Sequence, residues 1–468
     1  MKHPLPANSP AARDLSNGNL PGRRHFLKAA LTAASAGTGW LAGCGKKESD
    51  PTSPALTPQP PAKLWNLSEL APPPQWERLE PWQETITSAD FRHLLEKILT
   101  DGTAFWSTVE QREDRALIRT STARADAPRF ELRFANTSSP GISGAGGSPA
   151  APSAARYWRK FKEIGPAASS ERPLEGINIA LDPGHIGGSW AKLEGRWYQM
   201  EDKLPVKEGD LTLQTALILK PLLKGLGAVV SLVRDTTEPL TSLKPESLLA
   251  EARNSLTASK GASVNFSDSQ IRAEAERLFY RTSEIRTRGQ RVNQVLKPDL
   301  LVCLHYNADN WGKDAGKPVF SSANHLHVIA HGCLDQAEFA CDDQRLDVLL
   351  RGLQGIPEEE IRLCDSVARH LASATGLPPF AYPSNNARRV NGNPYVWGRN
   401  LLANRVYHCP VVFTEPYVMN NGEVFERIQA GDYEGEREIA GKQRHSIFRE
   451  YAQGVADGLA EAARQGRG

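Results

Sequence analysis

Two histidines sit where a metal ion could be held. Asp182-Pro183-Gly184-His185-Ile186-Gly187-Gly188 follows the apolar run Ile177-Asn178-Ile179-Ala180-Leu181, and Leu300-Leu301-Val302-Cys303-Leu304 leads straight into His305-Tyr306-Asn307. Short apolar runs bounded by turn residues are the pattern of strands buried on both faces. If the two strands are parallel, His185 and His305 leave the sheet at one edge, where open α/β sheets bind ligands. Asp182, three residues before His185, is a candidate partner for its ring, and Asn307 is a candidate support for the same site. Between the histidines, Val206-Lys207-Glu208-Gly209-Asp210-Leu211 opens a helical stretch. Two imidazoles and one carboxylate leave a fourth tetrahedral position for water, the arrangement of a catalytic zinc site. Glu208 is equally readable as a helix-start carboxylate that satisfies free backbone donors, and Glu194 and Glu201 compete with it as ligand. Val411-Val412-Phe413-Thr414-Glu415 is an apolar strand ending in an acid. Burial there is costly unless the acid is paired or used, and the position suits a general base.

The elements around these residues alternate. A strand is expected over 228–233. A helix is expected from Asp210 to Leu226 with a kink or break at Pro221. A long helix carries Ile271, Leu278, Ile285, Val292 and Val295 and stops before Pro298, and a closing helix spans about 444–463. Strands interleaved with helices predict an α/β domain over 172–466, a mostly parallel sheet with helices on both faces. A small α+β module is expected at 76–135. Within it, Phe91, Leu94, Leu95, Ile98 and Leu99 share a helix face behind the caps Thr87 and Ser88, and strands follow near 115–120 and 130–134. Residues 44–75, rich in Pro, Ser and Thr, read as a spacer, and 136–155 as a Gly/Ser/Pro linker. His325, His327 and His331 suggest an ordinary, partly exposed strand in preference to a second metal site.

Arg23-Arg24-His25-Phe26-Leu27-Lys28, a weakly apolar run and Leu41-Ala42-Gly43-Cys44 are similar to a twin-arginine signal ending in a lipoprotein cleavage box. Residues 1–43 are then a signal peptide, and Cys44 is the lipidated residue that would anchor the chain to a membrane. The five later cysteines have no metal-knuckle or disulfide-framework spacing. The net charge of +2 rests on the leader. Without its five cations and one anion the balance is −2, with no basic block to suggest a nucleic-acid partner.

In order along the chain stand Asp-Pro-Gly-His-x-Gly-Gly, Glu-x-Asp-Leu-Thr-Leu, Val233-Arg234-Asp235, Arg291-Val292-Asn293 before Asp299, His305-Tyr306-Asn307-Ala308, and Val-Val-Phe-Thr-Glu with Asn420-Asn421. This set, over about 176 to the C-terminus, resembles the catalytic domain of zinc-dependent N-acetylmuramoyl-L-alanine amidases. The resemblance implies a phosphorylase/hydrolase-like fold, Zn2+ on His185, Glu208 and His305, Glu415 as the catalytic acid–base, peptidoglycan as substrate, and action in the periplasm or cell envelope. Two departures stand out. The 189–205 link to Glu208 is longer than the family's, and Pro416-Tyr417-Val418-Met419 replaces its smaller residues after the glutamate. There are also two insertions, 243–279 and 331–360. Some relatives carry at the second place a helix that plugs the site until an activator protein removes it, so 334–353 reads either as such a lid or as a surface decoration. Two further readings are a zinc hydrolase of the same fold acting on another amide, and a non-catalytic envelope lipoprotein.

Overall fold

The computed structural model describes residues 64–136, 156–312 and 317–467. The signal segment, Cys44 and most of the Pro-rich stretch lie outside the described residues, as does all of the 136–155 linker except Asn136. In the N-terminal part, β1 (Val109–Gln111), β2 (Arg115–Arg119) and β3 (Arg129–Arg133) form an antiparallel sheet. The helix Ser88–His93 starts on Thr87, whose side chain accepts from the Asp90 amide.

The central sheet has seven strands. They are β4 (Asn178–Pro183), β7 (Val229–Leu232), β8 (Leu300–Leu304), β9 (Leu326–Ala330), β10 (Arg388–Arg389), β11 (Val396–Gly398) and β12 (Val411–Pro416), and their order is β10-β11-β9-β12-β8-β4-β7. A short ribbon, β5 (Trp197–Tyr198) with β6 (Val206–Lys207), lies between β4 and the helix Glu208–Gly225. Strands β7, β4, β8 and β12 run parallel, β9 is antiparallel to β12, and β11 follows β9. The mostly parallel sheet expected from the alternation is therefore observed.

Side-chain parity divides the core into two layers. Ile179, Leu181, Leu300, Val302, Leu304, Val328 and Val412 pack against the helices Glu208–Gly225, Ile356–Thr375 and Ile447–Gly466. Ala180, Leu301, Cys303, Ile329, Val411 and Phe413 face the other way, toward Val292, Ile285 and Tyr407. A strand with both faces covered must be apolar at successive positions, as these are. Pro221 stays inside its helix. The carbonyl it leaves without a donor belongs to Leu217, whose side chain is on the solvent side. The long helix expected through Val295 is one helical rod with two π-type stretches, ending at Lys297 in the left-handed region. The closing helix begins at Ile447, because Lys442–His445 pairs with Glu436–Ile439 in a hairpin that the pattern did not reveal. Among the described residues, no helix is long and apolar enough to cross a membrane, and Cys303, Cys333, Cys341, Cys364 and Cys409 are all free thiols.

Three expectations are corrected. The stretch expected as spacer through 75 is tied down from Trp65 onward. The Asn66 amide donates to Asp342 at 2.8 Å, the Ser68 amide to Asp343 at 2.8 Å, and Arg286 Nε to the Glu69 carbonyl at 2.9 Å. Second, the 334–353 segment is not a lid. Leu346, Leu349, Leu350 and Leu353 of the helix Asp342–Leu353 share one buried cluster with Trp76, Leu79, Phe91 and Leu95, so this insertion completes the core of the N-terminal part. Third, β9 is buried along its whole length, and His327 and His331 are each 2% exposed, because β11 and β12 cover both its edges.

Two outcomes follow. Leu349→Ala should lower stability by about 2–5 kcal/mol, as for other buried Leu truncations, without raising activity, read by denaturant unfolding and turnover. Burial, then the charges of Arg351 and Arg405, hold His331 well below the usual imidazole value, so it is neutral when folded. The unfolded chain takes up that proton near pH 6.5. It then binds more protons than the folded chain, and stability falls as pH drops through that value. His331→Asn should shrink the loss between pH 7 and pH 5 by about 2 kcal/mol, measured from unfolding curves at the two pH values.

Candidate metal centre

The strand ends line up in one row. Pro183 is in register with Leu304 and Thr414 with Leu304, so Gly184, His305 and Glu415 are neighbours on adjacent strands, and Glu415 faces His327 on β9. This is the C-terminal edge of the parallel strands, where ligand sites form. His305 is fixed by its backbone amide on the Thr414 carbonyl at 3.0 Å and by its ring stacked on Phe413, centroids 4.3 Å apart and planes 14° apart. Gly184 must lack a side chain, since a Cβ there would occupy the space of the His305 ring. Gly209 is constrained likewise by the backbone of Ile186.

His185 is held in the left-handed region at φ 61°, a conformation that costs on the order of 1–3 kcal/mol for a side chain other than glycine. Two buried arginines hold its loop there. Arg288 donates to the carbonyls of Pro183 at 2.8 Å and His185 at 2.7 Å, and Arg234 to those of Pro183 at 2.9 Å, Gly184 at 3.1 Å and Gly209 at 2.6 Å. Burial, then the Arg288 charge, lowers Arg234 to about 9.

These constraints bring His185, Glu208 and His305 together, with one ligating atom of each within 4.8 Å of the others. Glu208 is the first residue of its helix and reaches over the sheet edge; it is 1% exposed. One of its oxygens accepts from the Tyr306 amide at 3.1 Å. The other, Oε2, is buried without an aligned hydrogen-bond donor, 3.2 Å from His185 Nε2 and 3.6 Å from Arg196 Nε. Burial would raise this carboxyl, but the charges of His185 and Arg196 outweigh it and hold it well below the usual range. Burial likewise opposes a charge on His185, yet Glu208 and Glu194 raise its value. A buried, ionised carboxylate with one oxygen lacking an aligned donor, His185 Nε2 at 3.2 Å from that oxygen and His305 Nδ1 at 3.4 Å from the other, suits a divalent cation, and His/His/Glu is a zinc-type donor set. Among the described residues no other group of three such side chains converges.

The competing acids have other places. Glu194 supports His185 from behind. Its Oε1 lies 2.7 Å from His185 Nδ1 and its Oε2 accepts from the Ile186 amide at 2.8 Å, so it accepts the Nδ1–H hydrogen bond and turns Nε2 toward Glu208. It thus holds the role expected for Asp182. That residue lies one row lower, in register with Cys303, and binds Arg288 at 2.9 Å and the Tyr407 hydroxyl. Glu201 is exposed in the turn between β5 and β6. Asn307 serves the Glu415 side of the site, its amide nitrogen 3.4 Å from both His325 Nδ1 and His327 Nδ1. Glu415 is largely buried, its Oε2 3.0 Å from His327 Nε2. Arg196 and Arg288 carried no sequence signal. Arg234 stood in the Val-Arg-Asp motif, but nothing there announced its contacts with carbonyls.

No family model matches this chain, and no curated protein does. Among solved structures, it is similar to the N-acetylmuramyl-L-alanine amidase Ami1 of Mycobacterium smegmatis, with 16% identity, TM-score 0.35, 62% of this chain and 99% of the other. The CwlD amidase of Clostridioides difficile, solved in complex with the GerS lipoprotein, shows 13% identity, TM-score 0.35, and 62% and 100% coverage. The amidase AmiC2 of Nostoc punctiforme shows 13% identity, TM-score 0.30, and 62% and 97% coverage. A likeness of this degree identifies neither a family nor an activity.

If Glu194 orients His185, Glu194→Ala should weaken zinc binding by about 10- to 100-fold. Competition with a chelating dye measures it, and an unchanged affinity would remove Glu194 from the site.

Proposed function

We propose that this chain is a zinc-dependent N-acetylmuramoyl-L-alanine amidase, exported by a twin-arginine signal and anchored through Cys44 at the cell envelope. The observation that carries this reading is the convergence of one ligating atom each from His185, Glu208 and His305 to within 4.8 Å of one another, with Glu415 on the adjacent strand end. The ordered motifs described above supply the substrate, the amide between the muramoyl lactyl group and L-alanine in peptidoglycan.

A zinc ion held by the three ligands would polarise the scissile carbonyl and acidify a water molecule. The protein's own groups do the rest. Glu415 takes a proton from the attacking water as its oxygen bonds to the carbonyl carbon. The same carboxyl then returns the proton to the L-alanine nitrogen as the carbon–nitrogen bond breaks, and the second proton of the water follows it to the amine, leaving a lactyl carboxylate and a stem-peptide ammonium. Burial in the sheet edge excludes bulk water that would compete for the proton. Arg196, about a quarter exposed beside Glu208, adds positive charge where the carbonyl oxygen gains negative charge.

Glu415→Gln should keep stoichiometric zinc and lose about 10²- to 10⁴-fold in turnover. Digestion of purified peptidoglycan, followed by mass spectrometry, should release intact stem peptides from uncut glycan. Cleavage inside the stem peptide would instead favour a zinc peptidase of the same fold. Zinc binding without any hydrolysis would favour a binding module.

A further inference from the structure

Glu415 has a neighbour that the reaction above leaves unused. His327 is 2% exposed and stands opposite it in the antiparallel register of β9 and β12. Its Nε2 is buried, lies 3.0 Å from Glu415 Oε2, and has no aligned hydrogen-bond partner. Hydrogen bonds of catalytic groups are commonly misaligned without substrate and tighten in the reacting complex.

The proton on this ring can be placed from its other side. Asn307 Oδ1 accepts from the Ala308 amide at 3.0 Å, which sets the orientation of the side-chain amide. Its NH2 group therefore faces His327 Nδ1 at 3.4 Å. An amide nitrogen offers only hydrogens, so Nδ1 presents its lone pair and the ring proton lies on Nε2, toward Glu415. Phe380 and Tyr382 pack on the ring, with centroids 5.0 Å and 5.4 Å away, and leave it little room to turn.

We infer that His327 is a positioning residue for Glu415: as a neutral imidazole it donates Nε2–H to Oε2 and so presents Oε1 as the base. The proton in transit moves from water to Oε1 and on to the amide nitrogen, while His327 keeps its own. The assignment rests on the amidase reading of Glu415, and its test separates the two.

The zinc-loaded full chain, labelled with 15N-histidine, is examined by long-range 1H–15N correlation alongside steady-state kinetics on peptidoglycan fragments. The neutral Nε2–H tautomer is expected for His327. His327→Ala should lose about 10- to 100-fold in kcat with unchanged KM and zinc content. His327→Gln, whose amide donates from nearly the same place, should recover much of that loss. A proton on Nδ1 overturns the assignment, as does His327→Gln no better than His327→Ala. Full activity of His327→Ala beside an inactive Glu415→Gln overturns it and leaves the amidase reading standing. An active Glu415→Gln overturns the assignment and removes Glu415 from the mechanism.

Discussion

A carboxylate taken out of water keeps its charge only where positive charge meets it. Glu208, 1% exposed and held well below the usual carboxyl range against the pull of burial, sets that condition here. The condition is met at a helix N-terminus, where the backbone dipole is favourable, by the Tyr306 amide, and by His185 and Arg196. The partners come from segments more than a hundred residues apart, so the sheet has to be right before the charge can be tolerated. A buried acid of this kind does little for stability by itself. Its charge, kept in spite of burial, is what suits the place to a cation.

Holding His185 against that carboxylate requires backbone strain, and the strain is offset locally. The left-handed turn at His185 is fixed by carbonyl contacts from Arg234 and Arg288, by Glu194 on the imidazole and by Ile186 buried between helices. Arg288 also joins Asp182 and Glu284, so the metal-side loop and the helix Glu284–Gln290 form one charged unit under the site. The insertion at 243–279 packs on that same loop through Ile186. Such preorganisation would hold His185 and Glu208 ready for the proposed cation.

Much of this was legible in the sequence, because periodicity and strand ends are local. Parallel strands that end in His305 and Glu415, with Gly184 and His185 following β4, place those residues at one edge whatever the loops do. What escaped depends on distance in the chain. Asp182 looked like the partner of His185, but strand parity puts it one row lower, where it meets Arg288 and Tyr407, while Glu194 reaches back from the longer 189–205 segment. His327 looked half-exposed until β11 and β12 were known to flank its strand. The helix Asp342–Leu353 looked like a lid because some relatives carry a plugging helix at this place; its apolar face instead meets the segment 76–99, more than two hundred residues earlier.

X-ray absorption at the zinc edge of the purified, zinc-loaded protein bears most directly on the central claim. The account predicts one zinc per chain, with two imidazole nitrogens at about 2.0–2.1 Å and oxygen donors at about 2.0–2.2 Å completing the shell. A sub-stoichiometric metal, or a shell dominated by sulfur from the free cysteines, would contradict it.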